Sequence, residues 1–226
     1  ITSVVQNVNE RQTNVILGER EQTLYGPGFI LDKLCGLSFR ISSQSFYQVN
    51  AVQTEVLYER AIGMAGFTGA ECAIDAYCGT GTIGLVAAKH GARQVIGVDT
   101  VASAVRDARE NAKHNGVENA QFVVGDAGAF MRERAAAGEA VDVLLMDPPR
   151  AGASEEFLAA AATLAPQRIV YISCNPETQV RDLAFLRERG YAVRMVQPVD
   201  MFPHTDHIET IALVEREEGA PERSQR

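Results

Sequence analysis

From Cys72 onward the chain repeats one unit: a short, continuously apolar run, a turn, then a longer stretch with apolar residues at helical spacing. The runs are "CAIDAYCG", "QVIGVD", "QFVVGD", "VDVLLMD" and "RIVYIS". The stretches that follow them are "IGLVAAKHG", "ASAVRDARENAKHNG", an Ala-rich segment around 128–137, residues 154–164 and "PETQVRDLAFLRERG". A strand that is apolar throughout, rather than at every second residue, is buried on both faces. Alternation with helices makes such strands parallel and covers the sheet from both sides. Two last runs, "YAVRMVQPVD" and "HIETIALVE", have no helix between them and predict an antiparallel edge. The expected fold class is therefore α/β, with an antiparallel last strand. The alternation is one of pattern: no stretch of sequence is itself repeated, and no low-complexity segment occurs.

The chain before this alternation reads differently. Residues 1–49 carry short alternating runs, "SVVQNVN", "TNVILGE" and "GLSFRIS", punctuated by "YGPG", and predict β-hairpins without a helix. "NAVQTEVLYERAIGMAG" then predicts a helix with Val52, Val56, Leu57, Ala61 and Met64 inward, Asn50 as N-cap and Gly66 as stop. The tail from Glu215, "EREEGAPERSQR", is charged and poor in apolar residues. Disorder is expected there, which gives domains at 1–49 and 50–215 and a tail at 216–226.

Of the 226 residues, 46% are hydrophobic, enough for one full core. No stretch reaches the roughly 18 apolar residues that cross a membrane, and no leader pattern is visible. The chain opens on Ile1 rather than Met, so a fragment lacking an N-terminal part is expected. The four cysteines, 35, 72, 78 and 174, fit neither a disulfide framework nor zinc spacing. They read as reduced thiols in the cytoplasm. A net charge of −8 argues against a surface coated with Lys and Arg for nucleic acid, although a local RNA patch is compatible with it.

In a doubly wound sheet ligands bind beyond the carboxyl ends of the strands. Four of those ends are notable. "DAYCGTGTIG" places Gly79, Gly81 and Gly84 in a G-x-G-x-x-G, whose glycines admit close backbone approach at a helix N-terminus. A dinucleotide is the obvious ligand, but Asp75 just ahead of the turn would repel a pyrophosphate and suits a cationic amino-acid group. Asp99 closes the second strand and suits a ribose diol; Asp126 closes the third and suits an adenine amino group. "DPPR", Asp147 to Arg150, closes the fourth. Any one such acid is commonly a helix cap. Three of them with the glycine turn fit S-adenosylmethionine better than a nicotinamide cofactor.

The fifth strand delivers Cys174 into Asn175-Pro176. A lone cysteine at a strand end is ordinarily a small core residue. Its placement before a helix, with Pro176 near the first helical position, gives it a second reading as a nucleophile whose pKa the helix dipole lowers. Arg150 stands where amine methylases put an aromatic, which disfavours an exocyclic amine acceptor. A carbon acceptor such as uracil C5 needs a thiolate at C6 and a base for the C5 proton. Glu209, in "DMFPHTDHIET", is the candidate base; an exposed strand glutamate is the commoner role. His204 and His207 receive no catalytic role, and Arg150, Arg181 and Lys33 read as surface charge with phosphate contact as the alternative.

These pieces together resemble the RNA 5-methyluridine methyltransferases. The matching segments are "SFYQVN", "DAYCGTGTIG", "DPPRAG", "YISCNPET" and "DMFPHTDHIET", spanning residue 45 to about 210. The resemblance implies a Rossmann-like class I S-adenosylmethionine-dependent methyltransferase sheet, with residues 1–49 a remnant of a central RNA-binding domain. It places the nucleophile on Cys174 and the base on Glu209, and cofactor contacts on Gln48, Tyr77, Gly79, Thr82, Asp99, Asp126 and Asp147. Thr82 and Asp99 depart from the family pattern, which more often has an amide and a Glu. "QPVDMFPHT" looks like the 23S rRNA branch, with a tRNA uracil-C5 enzyme or a non-catalytic RNA-binding fragment as alternatives. No iron-sulfur cluster, no other metal and no membrane are expected of this chain; a cytoplasmic monomer acting on RNA is.

Overall fold

The computed structural model describes residues 1–11, 17–18 and 20–219. Two short ribbons come first. β1 (Val4–Val8) pairs antiparallel with β2 (Arg20–Tyr25), and β3 (Phe29–Leu34) pairs antiparallel with β4 (Leu37–Ser42). "SVVQNVN" and "GLSFRIS" thus become β1 and β4, whereas most of "TNVILGE" lies outside the described residues. β2 and β3 were not legible in advance: β2 is exposed at every residue, so it carries no buried-face pattern. "YGPG" joins the two ribbons, and the β3–β4 turn uses Cys35 and Gly36, both at positive φ (50° and 67°), as a tight two-residue turn requires.

α1 (Ala51–Ala65) starts at Asn50, whose side chain accepts from the Gln53 N–H, and stops at Gly66 in the left-handed region (φ 61°). Its core stripe is Leu57, Tyr58, Ala61, Ile62 and Ala65 with Thr54; Val52 and Val56, expected inward, face out. The alternation follows: β5 (Cys72–Ala76), α2 (Thr82–Lys89), β6 (Gln94–Asp99), α3 (Ala102–His114), β7 (Ala120–Val124), α4 (Ala127–Ala136), β8 (Val143–Met146), α5 (Glu155–Leu164), β9 (Arg168–Ser173) and α6 (Pro176–Arg187). β10 (Tyr191–Val199) and β11 (Glu209–Arg216) end the fold. Glu215 and Arg216 therefore belong to a strand rather than a disordered tail, because their backbone pairs with β9 and β10; residues 220–226 lie outside the described residues.

Seven strands form one sheet in the order β10-β11-β9-β8-β5-β6-β7. The β5–β6, β5–β8, β6–β7 and β8–β9 pairs are parallel. β11 runs antiparallel to both its neighbours, β9 and β10. The antiparallel strand is thus inserted one place from the edge, and β10 holds the edge itself.

The sheet divides the core by strand alternation. Val143 and Leu145 join Leu57, Leu85 and Val105 of α1–α3 on one face. Leu144 and Met146 join Met131, Leu158 and Leu186 of α4–α6 on the other. Leu34, Leu37 and Phe39 are buried in the first of these clusters, so the β3–β4 ribbon shares the core of the residues beyond 50. Among the described residues no helix is long and apolar enough to cross a membrane.

Candidate active site

Strand direction decides what gathers at one rim of this sheet. The parallel strands end there, placing Asp75 (β5), Asp99 (β6), Asp147 (after β8) and Cys174 (after β9) on the same side. β11 runs the opposite way, so its beginning reaches that rim. Thr210 pairs with Ser173, and one step further along the same register Glu209 stands opposite Cys174. A thiol and a carboxylate thirty-five positions apart in sequence are thereby neighbours.

Local chemistry fixes each group. Asn175 caps α6 by accepting from the Glu177 N–H, and Pro176 opens the helix. The hydroxyl of Ser173 accepts from the Asn175 N–H (3.1 Å) and donates to its carbonyl (3.0 Å), holding the elbow that carries Cys174. The loop after β8 is latched to α6. Asn175 Nδ2 and Thr178 Oγ1 donate to the Arg150 carbonyl (3.2 and 3.3 Å), and Asp182 accepts from the Ala153 N–H (2.8 Å) and the Tyr171 hydroxyl (2.7 Å). Arg181 closes on Asp182 (2.7 Å). The Arg150 backbone is committed to this latch while its side chain is exposed.

Cys174 is half-buried, not sealed in hydrocarbon. Its thiol pKa is raised, by burial first and then by the carboxylates of Glu209 and Asp147; a backbone hydrogen bond and Arg150 act the other way. This corrects the expectation that the helix dipole lowers it, because burial first, and then two acids from neighbouring strand ends, raise it. Glu209 is 5% exposed, and burial raises its pKa. Asp147 rises to about 8, through burial and then Glu209 and Asp75. Asp75 rises to about 7: burial dominates, the Gly84 N–H it accepts pulls it down, and Asp99 pushes it up. None of Asp75, Asp147 and Glu209 forms an ion pair among the described residues. Three carboxylates without a cation make the rim complementary to a positive ligand.

The glycine turn fits a close-lying ligand. Gly79 and Gly81 have positive φ (53° and 80°), and a Cβ on Gly79 would meet nothing within 4 Å. Gly84 is required by Asp75, whose Oδ2 would lie 2.7 Å from a Cβ there and which instead accepts the Gly84 N–H at 2.8 Å. Two buried oxygens at the turn, Asp75 Oδ1 and Thr80 Oγ1, have no partner. Of the other predicted contacts, Asp99 organises the turn by accepting from Gly79 N (2.9 Å) and Val101 N (2.8 Å). Asp126 caps α4 through Ala129 N (2.7 Å). Thr82 shares a hydrogen bond with Tyr58 (3.2 Å), and Gln48 lies half-buried between β4 and α1.

Tyr77, Asp99 and Asp126 line one crevice with Phe157, Arg132 and Gly125. Tyr77 sits at φ 62°, a costly backbone for a non-glycine residue, with its ring 5.0 Å from that of Phe157. Burial, then Asp126 and Asp182, raise its hydroxyl pKa to about 12. Phe157 and Arg132 were missed in the sequence because α5 and α4 look like ordinary covering helices there; Thr80, inside the glycine turn, was also not singled out.

Strand order and rim define a class, the Rossmann-like sheet of class I S-adenosylmethionine-dependent methyltransferases. The chain belongs to the tRNA (uracil-5-)-methyltransferase family, whose model matches residues 31–217. It is 52% identical over 96% of its length to an RNA methyltransferase of Lactiplantibacillus plantarum, and 49% identical over 95% to one of Halalkalibacterium halodurans. It covers 48% and 47% of those proteins, so it spans about half the length of the curated relatives it matches. Among solved structures it resembles the Pyrococcus abyssi tRNA (uracil-54, C5)-methyltransferase in complex with S-adenosyl-L-homocysteine. The TM-score is 0.77 at 32% identity, covering 94% of this chain and 50% of that one.

Proposed function

We propose that this chain is the catalytic part of an S-adenosylmethionine-dependent RNA (uracil-C5)-methyltransferase. The observation that carries the reading is the β9–β11 register, which sets Cys174 and Glu209 side by side at the rim where Asp75, Asp99 and Asp147 converge. The unpaired acids and the open Gly79 suit the cofactor: Asp75 and Asp147 its cationic end, Asp99 its ribose, Asp126 and the Tyr77–Phe157 wall its base.

S-adenosylmethionine, when bound, supplies an electrophilic methyl group. Cys174 Sγ, its proton lost to solvent, would add to uracil C6, and the electron pair displaced toward C5 would take up the methyl group as the methyl–sulfonium bond breaks and S-adenosylhomocysteine leaves. Glu209 then takes the C5 proton, the C5=C6 bond re-forms and the thiolate leaves. Burial raises the pKa of Glu209, which makes it a stronger base for that proton.

The RNA we propose is 23S rRNA, on the segment "QPVDMFPHT". A tRNA substrate is the second reading, favoured by the description of the P. abyssi enzyme. The test is covalent trapping with 5-fluorouridine rRNA and tRNA fragments in the presence of S-adenosylmethionine, since fluorine at C5 prevents the release step. The wild-type chain is expected to yield a denaturant-stable adduct with the rRNA fragment, and Cys174→Ala none while still binding the cofactor. An adduct that persists in Cys174→Ala refutes the nucleophile; trapping by tRNA alone refutes the rRNA assignment.

A further inference from the structure

Helix α3 presents three polar side chains, Asp107, Asn111 and Asn115, four residues apart on a face that is otherwise packed. They meet the outer edge of β4, whose other edge pairs with β3. Asn115 Oδ1 accepts from Ser38 N (2.8 Å) and its Nδ2 donates to Ser38 O (2.7 Å). Asn111 repeats this at Arg40, accepting from its N–H (2.7 Å) and donating to its carbonyl (3.3 Å). Asp107 accepts from the hydroxyls of Ser42 (2.5 Å) and Ser45 (2.9 Å). A carboxamide carries the same donor and acceptor as a peptide group, so the two asparagines act as an added strand.

Asn111 does one thing that Asn115 does not. Its Nδ2 also donates to the carbonyl of Thr80 (3.1 Å), inside the Gly79–Gly81 turn. The side chain is fully buried. The N–H that a regular helix would bring to that carbonyl belongs to Gly84, which gives it to Asp75. We infer that Asn111 is a positioning residue that fixes the glycine turn against β4, and so ties the cofactor crevice to the segment that leads from β4 into Gln48 and α1. The inference rests on the cofactor reading above.

Matched substitutions test it in the 226-residue chain. Asn111→Asp and Asn115→Asp each keep the acceptor and lose the donor, and both are expected to lower the melting temperature by weakening the hold on β4. Asn111→Asp alone is expected to weaken S-adenosylhomocysteine binding, by roughly tenfold or more in calorimetry, and to speed hydrogen exchange of the Gly79–Gly84 amides. If Asn111→Asp does not fold, Asn111→Ser and Asn115→Ser provide the same comparison. Equal affinities for the two variants overturn the inference while leaving the cofactor reading intact. Failure of the wild-type chain to bind S-adenosylhomocysteine overturns both.

Discussion

Replacing Asp75 by Asn should stabilise this chain at alkaline pH and weaken its hold on cofactor. Asp75 is 1% exposed, and its carboxyl is pushed from 3.8 to about 7. Below 3.8 the group is protonated folded and unfolded, and it imposes no pH-dependent cost. Between 3.8 and about 7 the unfolded chain ionises while the fold keeps its proton, so stability falls by about 1.4 kcal/mol per pH unit. Above about 7 the full cost, ~4 kcal/mol, is in place. Between about pH 5.5 and 8.5 the wild-type chain should therefore lose ~2 kcal/mol that Asp75→Asn does not lose.

The comparison across pH matters more than either value alone. An asparagine leaves a buried NH2 group where Oδ1 now stands without a partner, costing ~1–3 kcal/mol at every pH. Urea denaturation of both proteins at the two pH values, without cofactor, isolates the charge from that constant. Calorimetry on the same proteins should show S-adenosylmethionine bound ~10–100-fold more weakly by the variant, the loss expected for one charge-assisted contact. Stability curves that run parallel for the two proteins, within about 0.5 kcal/mol at both pH values, would show that Asp75 is not held protonated and refute the electrostatic argument.

Two further substitutions probe the same rim. Glu209→Gln should accumulate the RNA adduct rather than prevent it, and should also shift the pH midpoint of Cys174 alkylation downward, because Glu209 is one of the carboxylates that raise the thiol; an unchanged midpoint with no adduct removes Glu209 from the site. Gly84→Ala should cost roughly 1–3 kcal/mol in denaturation, since its Cβ would lie 2.7 Å from Asp75 Oδ2 and 3.2 Å from Val95; a neutral result would mean the β5–α2 contact is looser than the Asp75–Gly84 hydrogen bond implies.

Legibility in the sequence tracked the range of the interaction. β5, β8 and β9 were readable because burial on both faces leaves an unbroken apolar run, the whole of β8 in "VLLM" and the middle of β9 in "IVYI". Asn50 and Gly66 were readable because capping acts within about one helical turn. β2 was not, since an exposed ribbon places no demand on side-chain polarity. Nor was the inward-facing stripe of α1 fully readable: Val52 is as apolar as Leu57, and only the position of the sheet decides which is buried. Asn111 and Asn115 drew no assignment, although polar residues at a spacing of four beside the buried Ala104, Ala108 and Ala112 are a signal of a polar partner.

The thiol shows why local reading fails most at the site itself. Within the sequence, Cys174 has a helix N-terminus for a neighbour, and the dipole argument follows correctly from that. In the fold its neighbours are Glu209 and Asp147, brought there by an antiparallel strand slotted between β9 and β10 and by the end of β8. The acids also act on one of their own number: Glu209 and Asp75 both raise Asp147. A rim arranged this way opposes thiolate formation, and positive charge beside the carboxylates would offset that opposition. Under the function proposed above, binding of a cation and activation of the thiol would be coupled, because Glu209 and Asp147, the two acids that raise Cys174, are groups the cation would face. The alkylation midpoint of Cys174 should accordingly fall further with S-adenosylmethionine than with uncharged-sulfur S-adenosylhomocysteine.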